Sequence, residues 1–461
     1  VFNSILSILA PDASTALPTW AVIPFVGLLL TIGGASFGVA NFPHSPVGRL
    51  WESNFNKLVI ALLWSLPVLV LLMALGKWEA LVTSLEDYFS FISLLFALFV
   101  ISGGIYLEGD LKATPWVNTA FLGVGALLAN VIGTTGASML LIRPVLKTNS
   151  ERKRTAHIPV FFIFVVSNIG GALLPIGDPP LFLGYLKGVP FFWTLTLLAP
   201  WLTTLGLTLA VFWVWDSLSY KKESPDSLKL DRQAFQPLKI KGGLNFLWLL
   251  GVLLGVVFLT PDTLAAWGLA EGPLKFLREY LMLLMAAASL ITAPLNAETR
   301  RKNNFSFAPI QEVAFLFMGI FLAMIPALEI LKSQGVGFGI SQPWQFFWAS
   351  GGLSSVLDNA PTYLTFLSLA QGLSAASPAL HPVPAGLSAV GVSARLLAAI
   401  SLGSVFMGAN TYIGNGPNFM VKAIADDWGY KTPDFFTYIF KYSLPILIPI
   451  FMVVTLVFMI G

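Results

Sequence analysis

The stretch "SNIGGALLPIGDPP" at residues 167–180 decides how the whole chain is read. Apolar runs flank it, "IPVFFIFVV" at 158–166 and "LFLGYL" at 181–186, so the segment as a whole is long enough to cross a bilayer as helix. Its middle cannot be regular helix. Gly170, Gly171 and Gly177 favour other backbone angles, and Pro175, Pro179 and Pro180 lack an N–H donor. A break inside hydrocarbon exposes N–H and C=O groups that are costly when unpaired, so it persists only where protein, water or bound ions satisfy them.

Outward from this break, apolar runs of bilayer-crossing length recur along almost the whole sequence. Of the 461 residues 56 % are hydrophobic and 11 % charged, which excludes a soluble globule. A formal charge of +3, with the basic residues scattered among loops, gives no nucleic-acid surface, and zero cysteines exclude disulfides and thiolate metal sites. The chain starts at Val1 rather than methionine, which leaves open what precedes it.

Crossings are expected near 20–38, 58–76 and 89–107. Then come a stretch at 115–147 divided by Gly133 to Gly136 that reads as a re-entrant hairpin, the broken crossing at 158–187, and a crossing near 194–215. After a polar linker at 216–243 the order returns: crossings near 244–260, 277–294 and 312–331, a hairpin at 345–371 divided at Asp358, Asn359 and Pro361, a broken crossing at 393–427 and a clean one at 435–459. The third crossings also share local similarity, "FALFVISGGIYLEGDLK" at 96–112 with "FMGIFLAMIPALEILK" at 317–332. The expected fold is an all-α polytopic membrane protein of two inverted repeats, 1–215 and 244–461, each with five crossings, one of them broken, and one re-entrant hairpin. Five is odd, so the second repeat starts on the opposite face and the two are related by an axis in the membrane plane. Of the Lys and Arg residues outside the spans, 18 fall on the face holding the linker and 6 on the other. The positive-inside rule then makes the linker cytoplasmic and both termini outward-facing.

The chemistry is expected at four breaks: "NVIGTTGASM" (130–139), "SNIGGALLPIGDPP", "LDNAPTYL" (357–364) and "GANTYIGNGPN" (408–418). Glycine lets carbonyls turn toward an ion, Asn and Thr supply neutral oxygens, and half-helix ends supply dipoles. Hard oxygen ligands suit an alkali cation. Asn130, Thr134, Thr135, Ser167, Asn168, Asn359, Thr362, Asn410, Thr411, Asn415 and Asn418 are the candidate Na⁺ ligands, each with the alternative of only bridging helices. Asp178 and Asp358 are the candidate cation and proton carriers, because a carboxylate kept at mid-depth pairs with a cation, takes up a proton, or alternates. The alternative for either is a helix N-cap. Glu108 and Glu329 read as interfacial. His44, His157 and His381 sit in expected loops far apart in sequence, so a metal site is not expected, nor is any cofactor beyond transported ions.

The motifs "SNIGGALLPIGDPPLFLG", "NVIGTTGASMLLIRP" and "LDNAPTYLTF" resemble those of the NhaD-type sodium/proton antiporters and their neighbours described as citrate transporters, within the ion transporter superfamily. The resemblance spans essentially the whole chain in order. It implies a homodimer in a bacterial inner membrane, with a transport domain moving elevator-like against a dimerising scaffold. Dicarboxylate members carry Ser-Asn-Thr at both hairpin tips, where this chain has Asn-Val-Ile-Gly-Thr-Thr and Asp-Asn-Ala-Pro-Thr.

The leading expectation is therefore a secondary transporter, not an enzyme, exchanging Na⁺ or Li⁺ for H⁺. Na⁺-coupled uptake of a di- or tricarboxylate such as citrate is the alternative, and a passive channel a further one. An aspartyl protease is disfavoured because Pro175-Ile176-Gly177-Asp178 is not Gly-x-Gly-Asp, and a zinc protease because His-Glu-x-x-His is missing.

Overall fold

The computed structural model describes residues 17–41, 45–293 and 297–460. His44 lies outside them. Helix dominates. The longer helices of the first half are α1 (Ile23–Asn41), α2 (Asn54–Ala74), α3 (Trp78–Ser102), α4 (Pro115–Thr148), α5 (His157–Val165), α6 (Pro179–Leu186) and α7 (Leu198–Tyr220). A connecting helix α8 (Pro225–Ala234) leads to α9 (Asn245–Phe258), α10 (Leu277–Ile291), α11 (Ala308–Ala323) and α12 (Ile325–Gln334). The chain ends with α13 (Pro343–Ser354), α14 (Asn359–Ala376), α15 (Ala394–Met407), α16 (Gly416–Asp427) and the helical run α17 (Phe435–Met459). Among the described residues, six helical runs are long and apolar enough to cross a membrane, α4 counted with both its arms, and the pair α11 and α12, bent by 44°, makes a seventh candidate.

α4 is not one rod. Thr114 accepts from the Val117 N–H, and Pro115 sits at the first helical turn, where a missing donor costs nothing. At Gly133 the backbone takes φ 76° and ψ 155°, which ends the first arm. The side chains of Asn118 and Asn149, 31 positions apart, exchange hydrogen bonds of 2.9 and 2.8 Å. A straight helix would separate them by about 46 Å, so the arms fold back as a helical hairpin. α13 and α14 pack as a second hairpin turning at 355–358.

The halves interlock reciprocally. α2 packs on α11 of the other half, and α3 on α10. Ala61 and Gly319 let the first pair approach closely: a Cβ on Gly319 would lie 2.8 Å from the Ala61 carbonyl oxygen, and the Ser65 hydroxyl donates to the Gly319 carbonyl at 3.2 Å. Hairpins and broken helices share one apolar core with them.

Several expectations shift. The all-α reading holds for the bulk, but β1 (Tyr106–Asp110) pairs antiparallel with β2 (Gln236–Lys241), so the linker is folded rather than loose. Helix α7 runs past 215 and buries Asp216, which the sequence reading placed in the linker. The third crossing starts at Trp78 rather than near 89, and its partner in the second half bends at Met324. His157 opens α5 and is buried, not in a loop: its Nε2 lies 2.9 Å from Asp216 Oδ1, beside the buried pair Arg152 to Asp216 at 2.7 Å. Glu108 and Glu329 are partly exposed and paired with Lys241, Lys302 and Lys77.

Candidate functional site

Between α5 and α6 the chain unwinds, and Asp178 occupies the N-cap position of α6. Its side chain nonetheless caps nothing, because Pro179 and Pro180 follow and carry no N–H, and the Leu181 N–H is taken by the Asp178 main-chain carbonyl at 3.1 Å. The carboxylate is 1 % exposed and turned toward three neutral donors. Oδ1 accepts from Thr134 Oγ1 at 2.8 Å and from Asn415 Nδ2 at 3.2 Å, and Oδ2 accepts from Asn359 Nδ2 at 2.5 Å. Thus one hairpin tip, the other hairpin tip and the second broken helix all reach the same acid. Among the described residues no Lys or Arg pairs with it. The amide oxygen of Asn359, Oδ1, is buried without a hydrogen-bond partner among the described residues.

The remaining candidates divide by what they bond. Asn415 also donates to the Ser167 carbonyl at 3.0 Å and to Asn168 Oδ1 at 3.2 Å, while Asn168 donates to Asn418 Oδ1 at 2.7 Å. These residues lie together next to Asp178. Yet much of their capacity serves backbone freed by unwinding: Asn168 donates to the Ile163 carbonyl, Asn418 to those of Gly408 and Thr411, and Asn130 accepts from the Leu173 N–H at 2.8 Å. Asn410 and Thr411 bond instead to Ser355, at the turn of the second hairpin. Thr362 donates to the Asp358 carbonyl, and Thr135 is half-buried with no side-chain hydrogen bond among the described residues. Asp358 is partly exposed, and its Oδ1 accepts from the Ala360 N–H at 3.0 Å, so the structure gives it the capping role that Asp178 lacks. No group of three or more His, Asp or Glu able to hold a metal occurs among the described residues.

Two features escaped the sequence reading. Ser355 is a hub: besides Asn410 and Thr411 it lies 2.8 Å from the Gly351 carbonyl and 3.0 Å from that of Met407. Its position before Val356-Leu357 parallels Asn130 before Val131-Ile132, a signal present in the sequence. The second is a shared close approach. A Cβ on Gly177 would lie 2.4 Å from the Gly171 carbonyl oxygen, and one on Gly414 would lie 2.5 Å from that of Gly408. Each unwound segment folds over a glycine pair six residues apart, where any larger residue would collide with backbone.

The family described as "Putative citrate transport" matches the sequence over residues 14–459. No curated protein matches it.

Proposed function

Because the chain belongs to the family described as "Putative citrate transport", we propose that it is a secondary active transporter that exchanges Na⁺ or Li⁺ for H⁺ at Asp178. One observation carries this reading: a buried carboxylate in a membrane protein, relieved of capping duty, faces only neutral donors and has no basic partner among the described residues. Such a group is stable either protonated or beside a mobile cation, and the two exclude each other. The partnerless Asn359 Oδ1 supports a cation as the occupant, since it is an oxygen ligand at the acid's edge. Thr134, Ser167, Asn168, Asn415 and Asn418 complete a neutral surround, and Asp358, partly exposed and next to Asn359, is a second carboxylate on the ion's route.

The parallel glycine pairs, the two hairpins and the reciprocal packing of α2 with α11 and α3 with α10 support two inverted repeats. In this reading the hairpins are re-entrant, both termini face outward, the linker is cytoplasmic, and a homodimer carries the transport unit in an elevator-like movement. The family description favours a second reading, cation-coupled uptake of citrate or a related carboxylate. There Na⁺ at Asp178 would neutralise the acid before an anion approached.

Proteoliposomes given Na⁺, Li⁺, K⁺ or citrate pulses at several pH values decide between them. Exchange predicts proton release on Na⁺ or Li⁺ without citrate, abolished in Asp178→Asn. Citrate uptake requiring Na⁺ selects the second reading, and undiminished exchange in Asp178→Asn removes this residue from the mechanism.

A further inference from the structure

Away from the Asp178 site, a cavity of about 1130 Å³ opens between the 150–157 turn, α7 and the start of α17. Five exposed cations line it from four places in the sequence: Lys153, Arg154, Lys222, Lys431 and Lys441. No Asp or Glu is among its lining residues. Of the acids close by in the chain, Asp216 is engaged with Arg152 and His157, Glu223 accepts from the main-chain N–H groups of Lys153 and Arg154, and Glu151 accepts from the Ser150 hydroxyl. The lining itself therefore carries exposed cations and no carboxylate.

One wall is different in kind. Val211, Val214 and Leu218 lie on α7, a helix of membrane-crossing composition, and are 37, 50 and 55 % exposed. At the same level Trp215 stacks on Tyr442 with ring centroids 5.4 Å apart, and Trp428 borders the opening, as aromatic side chains do at a membrane–water boundary. Cations beside an exposed aliphatic strip on a helix of membrane-crossing composition match a molecule with an anionic head and a hydrocarbon tail. A soluble anion would use the first half of that surface and leave the second without purpose. We infer that this cavity binds the phosphate headgroup of an anionic phospholipid, with its acyl chains along Val211, Val214 and Leu218.

The full chain, purified in neutral detergent, is titrated with phosphatidylglycerol, phosphatidylcholine, inorganic phosphate and glycerol 3-phosphate while thermal unfolding is followed. Phosphatidylglycerol should raise the unfolding midpoint and the other three should not. The triple variant Lys222→Gln/Lys431→Gln/Lys441→Gln should bind it roughly a hundredfold more weakly. The control Lys112→Gln/Lys229→Gln/Lys239→Gln, which removes the same charge outside the cavity, should bind it as the parent does. Equal stabilisation by phosphatidylcholine, stabilisation by phosphate alone, or equal loss in both variants overturns the assignment. If the cavity variant does not fold, native mass spectrometry of the parent chain serves instead: co-purified anionic lipid retained at about one per chain supports the site, and none retained overturns it.

Discussion

Asn415 donates a 3.2 Å hydrogen bond to Asp178 Oδ1, and the two residues hold matching places in the two halves of the chain. Laying "GALLPIGDPP" (171–180) on "GANTYIGNGP" (408–417) superimposes Gly171 on Gly408, Ile176 on Ile413, Gly177 on Gly414, Asp178 on Asn415 and Pro180 on Pro417. Two similar motifs thus meet, with acid on one side and amide on the other. Asn415→Ala removes a donor to a charged acceptor, a bond worth about 1.5–3 kcal/mol. The Na⁺ concentration for half-maximal exchange should rise by about 10- to 100-fold in proteoliposomes. An unchanged value would mean that Asn415 serves only the Ser167 carbonyl and Asn168.

Gly133 turns the first hairpin at φ 76° and ψ 155°, a backbone region that L residues avoid. A Cβ there would meet nothing closer than 3.4 Å, so Gly133→Ala tests backbone strain alone. The expected cost is about 1–3 kcal/mol, seen as a lowered unfolding midpoint together with reduced transport. Gly206→Ala is the contrast. It lies in α7 with nothing within 4 Å of an added Cβ, and should be neutral or stabilising by about 0.5–1 kcal/mol.

Arg152 and Asp216 are side chains fully removed from solvent. Asp216→Asn leaves the guanidinium short of countercharge and should cost about 3–5 kcal/mol in thermal unfolding. The exposed pair Lys422 to Asp426, spaced for one helical turn, should lose no more than about 0.5 kcal/mol in Asp426→Asn. Similar losses in the two would show that burial does not set the difference.

Asp110, on β1, is 5 % exposed, and burial, reinforced by the nearby charges of Glu151 and Asp231, pushes its carboxyl up to about 6 from 3.8. The folded chain binds a proton there more tightly than the unfolded one, so this residue's penalty is full above pH 6 and fades as pH falls toward 3.8. Asp110→Asn should therefore stabilise by about 1–2 kcal/mol at pH 8 and by little near pH 4. Unfolding midpoints at the two pH values check the sign.

The order of helices, hairpins and breaks was legible because glycine and proline inside apolar sequence leave few alternatives, although α9 and α10 are shorter than the crossings expected at 244–260 and 277–294. Which acid does what was not. Asp178 and Asp358 both precede a helix start, and the difference lies in the next two residues: Pro179 and Pro180 withhold the N–H groups that Asn359 and Ala360 retain. That signal was present and could have been used. The roles of Asn130, Asn168 and Asn418 could not, since an amide that ties down an unwound carbonyl and one that coordinates an ion have the same sequence signature. The small sheet was hidden for another reason. Tyr106 to Asp110 and Gln236 to Lys241 are short, polar and distant in sequence, and only their pairing makes either a strand.

That sheet, with Asp231 accepting from the Ala113 N–H at 2.9 Å, fastens the connecting segment to the base of the first hairpin. Backbone continuity is then not what keeps the N- and C-terminal portions in register. A cut at the exposed bond between Lys221 and Lys222 should leave two fragments that stay together, and the gene should tolerate being expressed as two pieces divided there.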